Sequence, residues 1–254
     1  ETVDLEVEIL EATFPALAGP SPSGEVELSL EGVQRCRIIK AGESISWSAA
    51  KTSLSLVQNE PTAEGEEGEL ELKFAEAVGG VLLEQAVGGK LLAASGERLE
   101  LLSGGEVKLL GGEGRSVRLS GVLPGGDRFG RVIARELRVF EDTVTAQSAM
   151  IAYEGGEASE LIVRSASADK IEASAKEVLL SGNVRIEGDG AETGPWTLLT
   201  EKAHLSTEGS VNASGGFEWE GADGQVAKGE TLKVDKTSIS MEGSPASLRF
   251  AGLE

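Results

Sequence analysis

One pattern recurs along this chain and limits what it can fold into. In VDLEVEIL, Val3, Leu5, Val7 and Ile9 alternate with Asp4, Glu6 and Glu8. GEVELSLEG repeats the pattern with Val26, Leu28 and Leu30, and GELELKFAEA with Leu70, Leu72 and Phe74. Successive side chains of a strand point to opposite faces, so a period of two produces one dry and one wet face. Helical periodicity is scarce. GKLLAASGERLELL is the best helical candidate, but Gly96 interrupts it and a strand fits equally well. The expectation is an all-β chain of roughly 18 to 24 short strands.

Composition narrows the interior and the partners. Apolar residues are 40% of the chain and aromatics only 4%, so Val, Ile, Leu and Ala must fill the core. Thirty-four glycines against seven prolines point to many turns. The net charge is −20 and the basic residues are scattered singly, which excludes the basic patch that nucleic acid requires. The acids read as solvated outer faces. Cys36 is the sole cysteine, so no internal disulfide forms. Arg35 and Arg37 flank it and would lower its pKa, but with no catalytic histidine partner it reads as a small buried or half-buried strand residue. No run of 18 apolar residues is present, so no membrane-spanning helix is expected. No leader is visible in the opening ETVDLEVEIL, as in a mature or trimmed chain.

Two loops stand out. Asn59 to Glu69, NEPTAEGEEGE, is acidic and Gly-rich, and its five glutamates lack the ligand spacing of a calcium loop. Gly121 to Gly130, GVLPGGDRFG, separates a less regular region, 1–130, from a more regular one, 131–254.

The second region carries a repeat. Acidic residues Asp169, Glu201 and Glu230 are each followed 13 or 14 residues later by a glycine, Gly182, Gly215 or Gly243. An alternating segment follows each glycine: NVRIE, GFEWE and ASLRF. The unit reads as strand, turn, strand, glycine turn, strand. Its apolar positions are Val184 and Ile186, Phe217 and Trp219, Leu248 and Phe250, with Ile171, Leu205, Leu232, Val234, Ile239 and Met241 between. A unit near 30 residues cannot bury its own apolar face and must stack on its neighbours.

No catalytic constellation is found. His204 is the sole histidine, which excludes a zinc site built of histidines; it sits in EKAHLST as an outward or partly packed strand residue. There is no P-loop or dinucleotide fingerprint. With 43 acids, carboxylate pairs are plentiful and nominate no glycosidase pair. Trp47, Trp196 and Trp219 are far apart in sequence, and core or groove-mouth packing explains them better than a carbohydrate platform. No catalytic residue, metal or cofactor is assigned.

The phrases ADKIEAS…VLLSGNVRIEGDG, LLTEKAHLS…VNASGGFEWEG and GQVAKGETLKVDKTSISMEGSPASLRF resemble the OstA-like family. These are the periplasmic bridge proteins of lipopolysaccharide transport: LptA, LptC and the N-terminal domain of LptD. The matching positions are Ala168, Asp169, Gly182, Asn183 and Val184, then Glu201, Lys202 and Ala203, then Gly229, Glu230, Leu232, Gly243 and Pro245. The resemblance runs from about Ser165 to Phe250; upstream only the rhythm is shared.

It implies an open, twisted β-jelly roll of stacked antiparallel strands, as one unit or two in tandem. It implies a non-enzymatic envelope protein of a Gram-negative periplasm that carries lipopolysaccharide or another lipid between two sheets. Other OstA-like proteins would join it by edge-strand pairing, and it would reach membranes through those partners. The implied groove lining is Ile171, Val184, Ile186, Leu205, Phe217, Trp219, Leu232, Val234, Ile239, Leu248 and Phe250. The alternating residues fit equally a β-repeat or solenoid scaffold with a closed, dry core.

Overall fold

The computed structural model describes residues 4–11, 25–40, 43–58, 70–87, 90–102, 104–122, 129–154, 162–174, 176–190, 194–206, 210–222, 224–234, 239–243 and 246–249. Every regular element among them is a β-strand, and the strands pair antiparallel. Two compact units are formed. The first is Glu1–Leu119 with Glu136–Glu141; the second is Ser120–Arg135 with Asp142–Glu254. The sequence suggested one boundary at 130/131, whereas the chain passes between units after Leu119, Arg135 and Glu141.

In the first unit β1 (Asp4–Glu11), β2 (Glu25–Lys40), β3 (Glu43–Gln58), β4 (Leu70–Val87), β5 (Lys90–Leu102) and β6 (Val107–Leu110) pair in chain order. The chain leaves within β7 (Val117–Val122), and after β8 (Phe129–Ala134) it returns as β9 (Glu136–Phe140), which pairs with β6. The second unit begins with β8 against β10 (Thr143–Glu154). It continues through β11 (Ile162–Ala173), β12 (Glu177–Gly190), β13 (Gly194–Ser206), β14 (Val211–Gly221) and β15 (Val226–Val234). β16 (Ile239–Glu242) and β17 (Ser247–Arg249) both lie on β15, against its C-terminal and N-terminal ends.

A row of bulges crosses each unit. Register slips fall at Val33/Cys36, Ser48/Lys51 and Val78/Val81 in the first. In the second they fall at Ser167/Lys170, Ser181/Val184, Thr200/Lys202 and Ser214/Phe217. A bulge adds an unpaired residue and bends its strand. Falling on strand after strand, these bulges bend each meander along one line.

The bulge row corrects three expectations. SGNVRIEGDG lies wholly within β12, so Gly182 is a mid-strand bulge at φ +75° and not a hairpin turn. Gly215, at φ +84° inside β14, is the same. The strands are therefore fewer and longer than expected: 17 among the described residues, the longest of 18 residues. Alternation also breaks at the row. β13 buries Trp196 and Leu198, then Ala203 and Leu205; β3 buries Trp47 and Ala49, then Thr52, Leu54 and Leu56. In GELELKFAEA the buried residues are Ala75 and Ala77; the register slip at Ser55/Leu56 sets half-buried Phe74 opposite Ser55, while half-buried Leu72 stays opposite buried Leu56.

Other readings resolve simply. The helical candidate is a strand: from Lys90 onward it is β5. The NEPTAEGEEGE segment lies outside the described residues, and the ends of GVLPGGDRFG belong to β7 and β8. Cys36 is fully buried opposite Trp47, and burial pushes its thiol up to about 12, against the lowering expected from the flanking arginines. The side chain of Arg35 is exposed, away from the buried thiol.

Candidate functional site: the apolar interior of the second unit

The two bulge glycines of the second unit, and the glycine that follows β16, meet the neighbouring strand. A Cβ on Gly182 would meet Asp169, one on Gly215 would meet Glu201, and one on Gly243 would meet the backbone and side chain of Glu230. The acid-to-glycine spacing of the sequence repeat is thus a cross-strand contact at the row. Asn183, itself at φ +49°, donates from Nδ2 to Asp169 Oδ2 at 2.8 Å. Asn tolerates this region better than most residues. At the next bulge the Thr200 hydroxyl shares its proton between the carbonyls of Ser214 (3.0 Å) and Gly216 (2.8 Å). These groups lie at the bend and leave the inner face to hydrocarbon.

That inner face gathers most of the sequence-nominated lining. Ile171, Val184, Ile186, Leu205, Phe217, Trp219, Leu232 and Val234 are all buried. Directly opposed residues of an antiparallel pair project to one side. The register makes Ile186, Leu198, Trp219 and Ala227 one continuous row across four strands, with Leu248 the Cα partner of Ala227. Ile239 departs from the expectation. It pairs with buried Val234 and shares its side of the sheet, yet it is 39% exposed, because β16 ends the sheet there. The side chain of Leu248 and the whole of Phe250 lie outside the described residues.

Two aromatic rings lie over glycines. A Cβ on Gly229 would be 2.7 Å from Phe217 Cε1, and one on Gly221 would be 2.6 Å from Trp219 Cη2. These glycines give the rings a floor of bare backbone. Sequence reasoning left Trp196, Leu198 and Ala166 out of the lining, though all three are buried here. Trp196 is flanked across both neighbouring strands by Gly188 and Gly221, a placement that only the pairing reveals. Trp219 is diagonal to Trp196, so the fold brings two of the three tryptophans together; Trp47 lies in the first unit, its Nε1 donating to Thr52 Oγ1 at 3.2 Å.

The outer face carries the charge. Lys228 pairs with Glu218 at 2.8 Å and Lys170 with Glu172 at 2.6 Å. Arg185 and the Ser165 hydroxyl both bond Glu187, holding its carboxyl below the usual range. His204 is partly packed on β13, its Nε2 2.8 Å from Glu177 Oε2 in an ion-pair contact without hydrogen-bond alignment. Among the described residues no group of three or more His, Cys, Asp or Glu is placed to hold a metal ion.

No family model matches the chain, and no curated protein matches it.

Proposed function

We propose that this is a non-enzymatic lipid-carrying bridge protein of a Gram-negative cell envelope, of the OstA-like kind, working as an open twisted β-jelly roll. The cargo is lipopolysaccharide or another lipid, its acyl chains shielded between the folded halves of the meander and its headgroup left in water. The observation that carries this reading is the inner face at β15–β16. The apolar side runs buried through Leu232 and Val234 and emerges at Ile239, so the apolar face reaches solvent at β16. Each acyl CH₂ moved from water onto such a face gains about 0.8 kcal/mol. Acids on the outer face keep a protein with a greasy seam soluble. The edge made by β16 and β17 is also where another OstA-like protein would add by edge pairing, which would give the chain its place between membranes.

A second reading rests on a different observation. Ile186 and Leu198 are 0% exposed, as expected of a closed, dry scaffold core. Photo-crosslinking separates the two. A photoreactive side chain at Phe217, inside, and another at Arg185, outside, are irradiated with lipopolysaccharide and separately with phospholipid. Adducts at 217 and none at 185 are expected, and the lipid that reacts defines the cargo class. Absence of adducts at 217 with both lipids makes the protein a scaffold.

A further inference from the structure

The Trp196 indole is 4% exposed, and its Nε1, with no solvent access, has no hydrogen-bond partner. Buried indole N–H groups ordinarily find an acceptor, and one left without costs stability. The setting narrows what the acceptor is. Trp196 lies on the inner face with Gly188 directly opposite on one side and Gly221 on the other, so neither adjacent strand sets a side chain against the ring in its own row. Trp219 lies diagonally across, its ring over Gly221.

A water molecule is a poor match, because a buried water needs two to four polar partners. Among the described residues, Nε1 is the one buried side-chain polar atom without a partner at this end of the unit. A charged oxygen is also a poor match. The charged residues that flank its row partners are the acids Glu187, Asp189 and Glu220, and an unpaired anion beside them, against two indoles and two glycines, is strongly disfavoured. A neutral carbonyl oxygen attached to a hydrocarbon chain meets both conditions: it accepts one hydrogen bond and its tail fills apolar space.

We propose that the Trp196 N–H is a carbonyl-binding donor, and that the ligand of this interior is an acyl ester or amide whose carbonyl oxygen docks at Trp196. The inference rests on the lipid-carrying reading and deepens it, since it selects chains joined through a carbonyl over chains joined through an ether.

The test compares two uncharged probes of equal chain length, a monoacylglycerol and the matching monoalkylglycerol ether, titrated against the full chain and against Trp196→Phe. Phenylalanine keeps an aromatic ring on the glycine floor and removes the donor. The intact protein should favour the ester about 3- to 10-fold, the range for one neutral hydrogen bond. Trp196→Phe should lose that preference and bind the two probes alike. Equal binding of both probes by the intact protein overturns the assignment to Trp196 and leaves the lipid reading standing. An ester preference that survives Trp196→Phe also overturns it. Binding of neither probe overturns the lipid reading together with this one. Far-UV circular dichroism and the unfolding midpoint of Trp196→Phe establish that it folds; should it not, Trp196→His, which retains a ring N–H, replaces it and is expected to keep the preference.

Discussion

The two units build the same bulge row from different residues. In the second, glycines at the bulges sit against acids one strand back, and polar side chains close the gaps, Asn183 on Asp169 and Thr200 on two carbonyls. In the first, Gly79 at φ +87° sits against Ala50, with a would-be Cβ 2.7 Å from the Ala50 Cβ, and no acid takes part in that contact. The interiors differ too. The first unit buries Thr52 and Gln85 beside its apolar residues, whereas buried polar or charged residues are absent from the described core of the second. The bulge row is thus a property of the backbone, and its decoration is free to change. This is why the repeat was readable in one half and only a rhythm in the other: the second unit spells its bends with acid and glycine, the first with alanine and glycine.

The largest effects should test whether the two interiors are packed alike. Leu109 in the first unit and Leu198 in the second are both fully buried. Leu109→Ala and Leu198→Ala should each destabilise by about 2–5 kcal/mol, read from denaturant midpoints. A loss under about 1 kcal/mol at Leu198 alone would mean that the second interior is loosely filled, which breaks the likeness and favours an open seam.

The bulge contacts come next. Gly79→Ala combines left-handed strain with a collision against a Cβ that cannot swing away, an expected loss of about 2–4 kcal/mol. Ala50→Gly in the same chain should recover part of it. Gly182→Ala meets the Asp169 carboxylate, which can rotate off, and more loosely its Cβ at 3.0 Å, so about 1–2 kcal/mol is expected, mostly backbone strain. Equal losses at the two glycines would show that side-chain contacts at the row matter less than φ alone.

The outer face should matter least. The Glu187 carboxyl titrates below its unfolded value because Arg185 and Ser165 bond its charged form. Its contribution is therefore present above the unfolded carboxylate pKa of about 4.3 and is lost as pH falls through the lower folded value. Glu187→Gln should remove that part of the acid-limb slope at a cost of roughly 0.5 kcal/mol or less at neutral pH, as for exposed pairs generally. The first unit offers the matched case. Glu136 raises Arg138 by a 2.6 Å bond on an exposed strand, and Glu136→Gln should cost as little.

The sequence by itself determined the fold class, because period-two alternation admits no other regular element. It also identified most of the inner face of the second unit, since Val184, Ile186, Phe217, Trp219, Leu232 and Val234 lie in runs too short for a bulge to intervene. The tertiary structure alone decided the rest. A glycine in a string reads the same whether the chain reverses there or bends and continues; pairing partners on both sides made Gly182 and Gly215 bulges. A one-residue slip exchanges the faces of a strand, so Phe74 left the side that Leu72 shares with Ala75 and Ala77 in β4 for reasons held in the neighbouring strand. Trp196 became part of the interior because Gly188 and Gly221 came to lie beside it, from positions 8 residues before and 25 after. Alternation is local, set by the geometry of one strand; register belongs to pairs of strands, and no single strand encodes it.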